Sequence, residues 1–549
     1  MTDADQKTPL LHQQQHKPPV SRPKYRRRRS SFDPSTYHST GQSLPYVKPS
    51  QLETTDPGLG LLQILGLTIC MAGVQFTWTV ELSYGTPYLL SLDISKELTA
   101  LVWLAGPLSG LLVQPLIGAL SDKCTSRFGK RRPFIIVAGI LTCFSMLGVA
   151  YAKEIGQFAS RIVHGDPDTA AHTNAIIVAV VSFYFMDFTL NGVQAICRAL
   201  ILDIPPLWQQ ELANAWSARM SNAAQVIGYF VGFIDLVKYA PWLGDSQMKG
   251  FCIVAIVVFI VTLGITCLTV HEKPVEREDD QEMSMYHTLA YIWRAFTTLP
   301  KEVQTLCNTQ FFAWMGWFPF LFYSTQWVSD IYFATHPSDD NRNWTEGTRA
   351  GSFALLCYSI CSVIAGVVIP AVAARFEKVR FFRLDTIYTT SLLISAAALL
   401  SAWFIRSVSA ATIILTVMGI PWAIVLWIPF SLVGEYVSFE DERRQKLLLN
   451  ETVNTPSSSS SSSESPRQLE EDQQKQKEEF DAGMILGVHN IYIVLPQFVT
   501  SAIAGFIFAA ADVTAPNSDE ASGVASVLAF GGLMSLVAAG FSRFILRVK

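Results

Sequence analysis

The chain has 549 residues, of which 50% are hydrophobic and only 16% charged, with a formal net charge of −4. Soluble domains carry roughly 25% charged residues, so this composition excludes an ordinary water-soluble globule and suits a lipid solvent. No nucleic-acid partner is expected.

Residues 1–57 are polar and contain a run from Arg26 to Arg29, which reads as a disordered cytoplasmic tail, not a cleavable leader with its short apolar core. Apolar stretches near 20 residues then recur, each able to cross a hydrocarbon core about 30 Å thick. An N-terminal bundle over 58–270 is predicted to hold six spans, at 60–90, 98–120, 133–152, 174–198, 214–238 and 248–270. A charged cytoplasmic linker at 271–306 follows. Six more spans are predicted at 307–332, 349–373, 385–405, 410–434, 484–510 and 521–543. In this C-terminal bundle, 307–437 carries four spans, 438–483 is a disordered cytoplasmic loop with a serine tract from Ser457 to Ser463, and 484–549 carries the last two spans and a short tail. Six and six is the pattern of two parallel repeats about an axis along the membrane normal.

Orientation follows the basic loops. Lys123, Arg127, Lys130, Arg131 and Arg132 follow span 2, and Arg375, Lys378, Arg380 and Arg383 follow span 8, which places both loops in the cytoplasm. Both termini then lie inside. The sequon at Asn343 falls outside and could carry glycan, whereas that at Asn450 faces the cytoplasm. Ser30, Ser31 and the serine tract are accessible to kinases on this topology, although a solvated linker explains them as well. Of nine cysteines, Cys70, Cys143, Cys197, Cys252, Cys307 and Cys357 sit in apolar spans without a CxxC pair or a histidine cluster. Reduced buried thiols are expected, with neither metal nor cofactor.

The strongest motif runs from Gly118 to Phe134 (GALSDKCTSRFGKRRPF) at the cytoplasmic turn after span 2, and it resembles the loop 2–3 signature of the major facilitator superfamily. Asp122 can pair with an arginine such as Arg127, Arg131 or Arg132, while Gly118 and Gly129 permit close helix approach. The result is a latch that breaks when the halves rock. A plain positive-inside anchor is the blander reading.

In span 4, Tyr184, Asp187, Asn191, Gln194 and Arg198 follow helical steps of three and four and share one face. An acid or base at a helix centre costs about 2.5 to 3.5 kcal/mol to insert, so the stripe must face protein or water and is a functional candidate. Asp187 and Arg198 are about 16 Å apart along the axis and cannot pair within one straight helix. Span 1 offers Trp78, Glu81, Tyr84, Gly85 and Tyr88 on one face, with a break at Pro87 that frees backbone carbonyls. Span 7 interleaves Gln310, Trp314, Trp317, Phe318, Tyr323, Ser324, Gln326 and Trp327; flat rings suit the C–H faces of a sugar and amides its hydroxyls. Packing or an interfacial belt would use the same aromatics. In span 11, Asn490 and Gln497 share a face beside His489 and Pro496, and span 5 repeats the theme with Arg219, Asn222, Gln225 and Asp235.

No phosphate loop, nucleophile elbow or nucleotide fingerprint is present, so neither an enzyme nor an ATP-driven pump is expected. A gradient must supply the energy. One proton crossing 100 mV releases about 2.3 kcal/mol, enough for roughly 50-fold accumulation of a neutral solute.

Taken together, ELSYGTPYLL from Glu81, LAGPLSGLLVQP from Leu104, Ser121 to Pro133, DFTLNGVQAICRALILD from Asp187 and NIYIVLPQ from Asn490 resemble the glycoside and sucrose branch of the major facilitator superfamily. That branch, the glycoside-pentoside-hexuronide carriers, includes plant sucrose/proton symporters, fungal alpha-glucoside relatives and an animal sugar-carrier family. The resemblance implies an all-α fold of about twelve membrane helices in two six-helix halves. It also implies proton-coupled symport of sucrose or another alpha-glucoside such as maltose, by alternating access. Asp187 would accept the proton and Arg198 would be a substrate or coupling partner. Read from their own spans, Glu81 is a second candidate for proton coupling, or a carboxylate solvated near the interface, and Asn191, Gln194, Tyr88, Trp314, Trp317, Gln326 and Asn490 are candidates for the sugar site. An amide is usual at Glu81 in plant members, so the carboxylate here and the serine-rich insertion suggest a fungal-type member. A transporter-like sugar sensor signalling through its tails, or a carrier of a different small neutral solute, is the alternative. The plasma membrane is the expected location, with the vacuolar membrane second, because Leu10 and Leu11 stand at the wrong spacing from Asp5 for a dileucine signal.

Overall fold

The structure, a computed structural model, describes residues 58–122, 124–164, 170–206, 209–272, 299, 301–336, 344–376, 379–434, 436, 482–514 and 521–545. Ser30, Ser31, Leu10, Leu11, Asn343, Asn450 and the serine tract lie outside the described residues, as does the side chain of Asp122. Every regular element among the described residues is helical.

Each predicted span corresponds to a helix or a consecutive pair. Span 1 is α1 (Leu61–Thr68) and α2 (Cys70–Leu90), and span 2 is α3 (Lys96–Val102) and α4 (Ala105–Asp122). Span 3 is α5 (Arg132–Ala150), after which α6 (Ala152–His164) leads to the long α7 (Ala171–Asp203) of span 4. α8 (Gln210–Phe233), the short α9 (Leu236–Tyr239) and α10 (Gln247–Thr269) complete the first half. The second half contains α11 (Lys301–Thr335), α12 (Trp344–Arg375), α13 (Leu384–Ser401), α14 (Val408–Val425), α15 (Ala482–Thr514) and α16 (Ala521–Ser542).

Ten of these spans are long and apolar enough to cross a membrane by composition alone. The two that fall short are α8 and α11. For α11 the reason is burial within protein: Thr309, Gln310, Trp317, Ser324, Thr325, Trp327, Ser329 and Asp330 are all buried, so lipid never sees these polar groups.

Hydropathy also missed α6. Its Lys153, Glu154 and Arg161 break any apolar run, yet they stand along an amphipathic helix between the third and fourth predicted spans. Glu154 on α6 accepts from the Lys249 ammonium at the start of α10, and Asp245 accepts from the same ammonium at 2.6 Å. That donor holds the Asp245 carboxyl below the usual carboxylate range.

Small residues set several helix spacings. A Cβ on Gly419 of α14 would lie 2.5 Å from the Tyr358 carbonyl oxygen and 2.8 Å from the Ser362 nitrogen, so the α12 and α14 backbones touch where no side chain fits. Gly264 of α10 has nothing within 4 Å of its Cβ position. Gly419→Ala should therefore cost about 1 to 3 kcal/mol of stability through overpacking. In thermal unfolding of the detergent-solubilised protein it should lower the midpoint, while Gly264→Ala should leave the midpoint unchanged.

Candidate functional site

At the middle of α7, Asp187 is buried, and so is Glu81 of α2; the two carboxyl groups face each other within hydrogen-bonding reach. One oxygen of each, Asp187 Oδ1 and Glu81 Oε2, has no hydrogen-bond partner among the described residues. Buried polar atoms are nearly always partnered, so an orphaned pair of acids marks a place where something else is meant to bind. The helical steps expected on α7 continue from here. Asn191 receives the Gln114 amide at 2.9 Å and donates to Ser109 Oγ at 2.6 Å, both on α4, and to the Asp187 carbonyl at 3.0 Å. Its side chain thus ties α7 to α4 beside the acids. Gln194 is half-buried on the same face. Arg198, further toward the basic loops, is exposed and makes no hydrogen bond or ion pair among the described residues.

The second half has an aromatic cluster of its own. Trp314 and Trp317 of α11 meet Trp422 of α14 edge to face, at 6.0 and 5.0 Å between ring centres. Tyr358 of α12 stands 6.3 Å from Trp422. The Trp314 Nε1 and the Tyr358 and Tyr323 hydroxyls are buried without partners among the described residues. From α8, the Gln225 amide approaches the hydroxyls of Tyr229 and Tyr358, joining the halves at this level. Gln497 of α15 reaches the first half directly: its Nε2 lies 2.8 Å from where a Gly106 Cβ would stand, and Asp187 Oδ1 lies 3.8 Å from the same point.

Other expected site residues stand elsewhere. Tyr88 is turned into the first-half core, where its hydroxyl donates to the Val149 carbonyl at 2.7 Å and its ring meets Phe183 and Trp344. Gln326 donates to Asp330 Oδ1 at 2.5 Å, one turn along α11. Asn490 is exposed, and its neighbour His489 is buried with Nε2 at 3.5 Å from the Gln310 amide, which accepts from Tyr388 through its oxygen at 3.0 Å. The sequence reading did not name Gln114, Ser109, Tyr358 or Trp422. Gln497 was seen on the Asn490 face, but nothing in one sequence shows that glycine lies opposite it.

The end of the bundle opposite the basic loops, the outer end by the positive-inside rule, is strapped across the halves. Thr86 donates to the Phe322 carbonyl at 2.6 Å and receives Trp103 Nε1 at 3.0 Å, while the Trp103 and Phe322 rings stack at 4.2 Å. The hydroxyls of Ser83 and Ser352 are 3.1 Å apart. Arg349 donates to the Phe233 carbonyl at 2.9 Å and pairs with Asp235 at 3.1 Å. Toward the basic loops, a Cβ on Gly118 of α4, or on Gly434 beyond α14, would have nothing within 4 Å among the described residues.

At the basic end the expected latch residues form a knot within the first half. Arg131 pairs with Asp203 through Nε at 2.9 Å and donates to Ser121 Oγ at 2.5 Å and, more weakly, to the Gly118 carbonyl at 3.5 Å. Lys130 reaches Asp203 at 3.0 Å. Glu272, directly after α10, accepts from the backbone N–H groups of Arg131 and Arg132 at 2.8 and 2.9 Å, satisfying donors left over at the start of α5. Arg132 also donates to the Cys267 carbonyl at 3.2 Å. Gly129 has φ +99°, and a Cβ there would meet the Glu272 carboxyl at 2.5 Å, so glycine is required twice over. Arg127 is exposed. Glu272 was not anticipated; a lone acid at a span end has no periodic signature, and its partners Arg131 and Arg132 lie about 140 residues away in the chain.

A family model described as Major Facilitator Superfamily matches residues 60–446. Among curated relatives, the general alpha-glucoside permease of Schizosaccharomyces pombe is 28% identical over 91% of this chain and 96% of its own length. Sucrose transport protein SUT1 of Oryza sativa subsp. japonica is also 28% identical, over 70% of this chain and 77% of its own. Among solved structures, a D-xylose-proton symporter superposes with a TM-score of 0.55 at 13% identity, covering 89% of this chain and 99% of that one, a likeness of fold.

The outer straps make a testable prediction. In a cysteine-depleted background, a Ser83→Cys, Ser352→Cys pair should crosslink on mild oxidation. A further cysteine replacing Arg198 should then stay reactive to a bulky maleimide applied from the basic-loop side of inside-out vesicles, and unreactive from the other side.

Proposed function

The chain belongs to the Major Facilitator Superfamily, and from that premise we propose that it carries a sugar together with a proton by alternating access. The observation that carries the coupling is the Glu81–Asp187 pair. Two carboxyl groups in contact at lipid depth cannot both hold a charge cheaply, and one shared proton relieves their repulsion. Loading that proton from outside permits the halves to close over the solute; losing it to the inside accompanies release. Glu81 and Asp187 are thus the proton-coupling residues of this reading.

The sugar site lies between the α7 face and the aromatic wall of the second half. Trp314 and Trp317 offer ring faces, Asn191 and Gln194 lie along the polar stripe, and Arg198 provides an uncommitted donor toward the basic-loop end. The relatives named above carry alpha-glucosides and sucrose by their names, which favours sucrose or another alpha-glucoside such as maltose as solute. The domain limits, from the bundle over 58–270 to the two-helix segment over 484–549, are part of the same reading, as are plasma-membrane location and kinase action on the serine-rich loop. The knot of Arg131, Asp203 and Glu272, with Gly118, Asp122, Arg127, Gly129 and Arg132, serves as the cytoplasmic latch.

Uptake of radiolabelled sucrose and maltose into proteoliposomes, with and without a protonophore, tests this directly. The wild type should accumulate one of them against a gradient, and the protonophore should abolish accumulation. Asp187→Asn should lose uphill accumulation entirely while keeping downhill exchange. Full accumulation by that variant would remove Asp187 from the mechanism, and no uptake of any sugar by the wild type would favour a sensor instead.

A further inference from the structure

In a proton–sugar symporter the hardest passage is the return of the empty carrier. Once sugar and proton have left to the inside, Asp187 is ionised, and the halves must pass through a closed state in which no water reaches it. An unpaired carboxylate in such a place is costly unless a fixed donor replaces the lost hydration. The groups around Asp187 supply few such donors. Glu81 of α2 is ionised as well once the shared proton has left and so adds charge, not a donor; Tyr184 is one turn away on the same helix with its hydroxyl donated to the Leu101 carbonyl at 2.8 Å, and Asn191 spends its amide on Ser109 and the Asp187 carbonyl. Arg198 lies about 16 Å along the axis.

One donor comes from the other half. Gln497 Nε2 and Asp187 Oδ1 flank the empty position above Gly106, at 2.8 and 3.8 Å from it, so they are separated by no more than the sum of those distances. Asp187 is 2% exposed, and this oxygen has no partner among the described residues. A modest turn of the flexible Gln497 side chain closes the gap. Gly106 makes this approach possible, because any Cβ at that position would stand where the amide now lies.

We propose that Gln497 is the coupling residue of the second half: while the outer end is sealed, its amide donates to the ionised Asp187 carboxylate and carries the empty carrier through its closed state. The contact exists only while α4 and α15 meet at mid-depth. Opening the outer end separates them, withdraws the amide, and leaves Asp187 to be protonated from outside. This rests on the proton–sugar reading above, and it gives Gln497 a positioning role toward Asp187, with no contact to the sugar.

The test separates return of the empty carrier from passage of the loaded one. In proteoliposomes, with whichever of radiolabelled sucrose or maltose the wild type accumulates, net uptake into sugar-free vesicles is compared with equilibrium exchange. Gln497→Leu removes a hydrogen bond to a charged group and should slow initial net uptake roughly tenfold while exchange changes less than about twofold. Gly106→Ala, which displaces the amide without altering it, should reproduce that split. Gln497→Asn should recover part of the rate. Final accumulation under a pH gradient should be reached slowly but at the wild-type level, unlike Asp187→Asn. Equal loss in both assays with a raised KM would make Gln497 a sugar ligand and overturn the proposal, as would wild-type behaviour of both variants. A wild type indifferent to a protonophore would remove the parent reading, whatever Gln497 does.

Discussion

The arrangement of the whole molecule answers to one constraint, the cost of holding charge at hydrocarbon depth. Insertion of a single acid or base at a helix centre costs about 2.5 to 3.5 kcal/mol, and the chain meets that cost in two different ways. It keeps its structural charges toward the two ends of the bundle and matches them there: Arg131 with Asp203, Lys249 with Glu154 and Asp245, Arg349 with Asp235. Where the mid-depth stripe of α7 crosses the bundle, charges are not matched. Asp187 has only another acid beside it, and Arg198 has no partner among the described residues. The contrast within one chain separates charges that hold from charges that move.

The two ends of the bundle differ for a related reason. The outer straps combine backbone carbonyls, hydroxyls and stacked rings with a single half-exposed ion pair, contacts that are individually modest and can break together. At the basic end, the ions of the α4–α5 turn are satisfied within the first half by Asp203 and Glu272, so that turn keeps its shape while the neighbouring cleft is open. A rocking motion then exchanges weak cross-half contacts and leaves the strong internal ones intact. The knot is thus a latch that holds its turn within the first half, not one that breaks as the halves rock, because its ion-pair partners Asp203 and Glu272 both lie in that half.

Most of the fold was legible because lipid imposes a simple rule on sequence. All twelve spans were read as apolar stretches, and ten of them also meet a strict test of length and hydropathy. What hydropathy could not register was α6, whose charged residues interrupt any apolar run and whose Glu154 accepts from Lys249. For the site, helical spacing gathered Asp187, Asn191, Gln194 and Arg198 on one face, since those residues share a helix. It could not say that Glu81 touches Asp187, that Tyr88 turns into the core, or that Glu272 caps α5. Each of those facts joins residues distant in the chain, and a single sequence holds no periodic trace of such pairings.

The failure of α8 and α11 to look like membrane spans is itself informative. The two helices carry their polar groups differently: α11 buries its own among other helices, whereas α8 leaves Asn214, Arg219 and Asn222 exposed. α11 contributes Trp314 and Trp317, and α8 contributes Gln225 beside Tyr229 and Tyr358. Both therefore lie at the meeting of the halves, where α2 brings Glu81 and α7 brings Asp187. The apolar spans, in contrast, expose broad leucine, isoleucine, valine and phenylalanine faces, as α5 does with Val137, Ile140 and Phe144. Low hydropathy within a run of otherwise apolar spans thus has two sources here, polar groups buried in α11 and polar groups left exposed on α8, and only the contacts of each helix tell them apart.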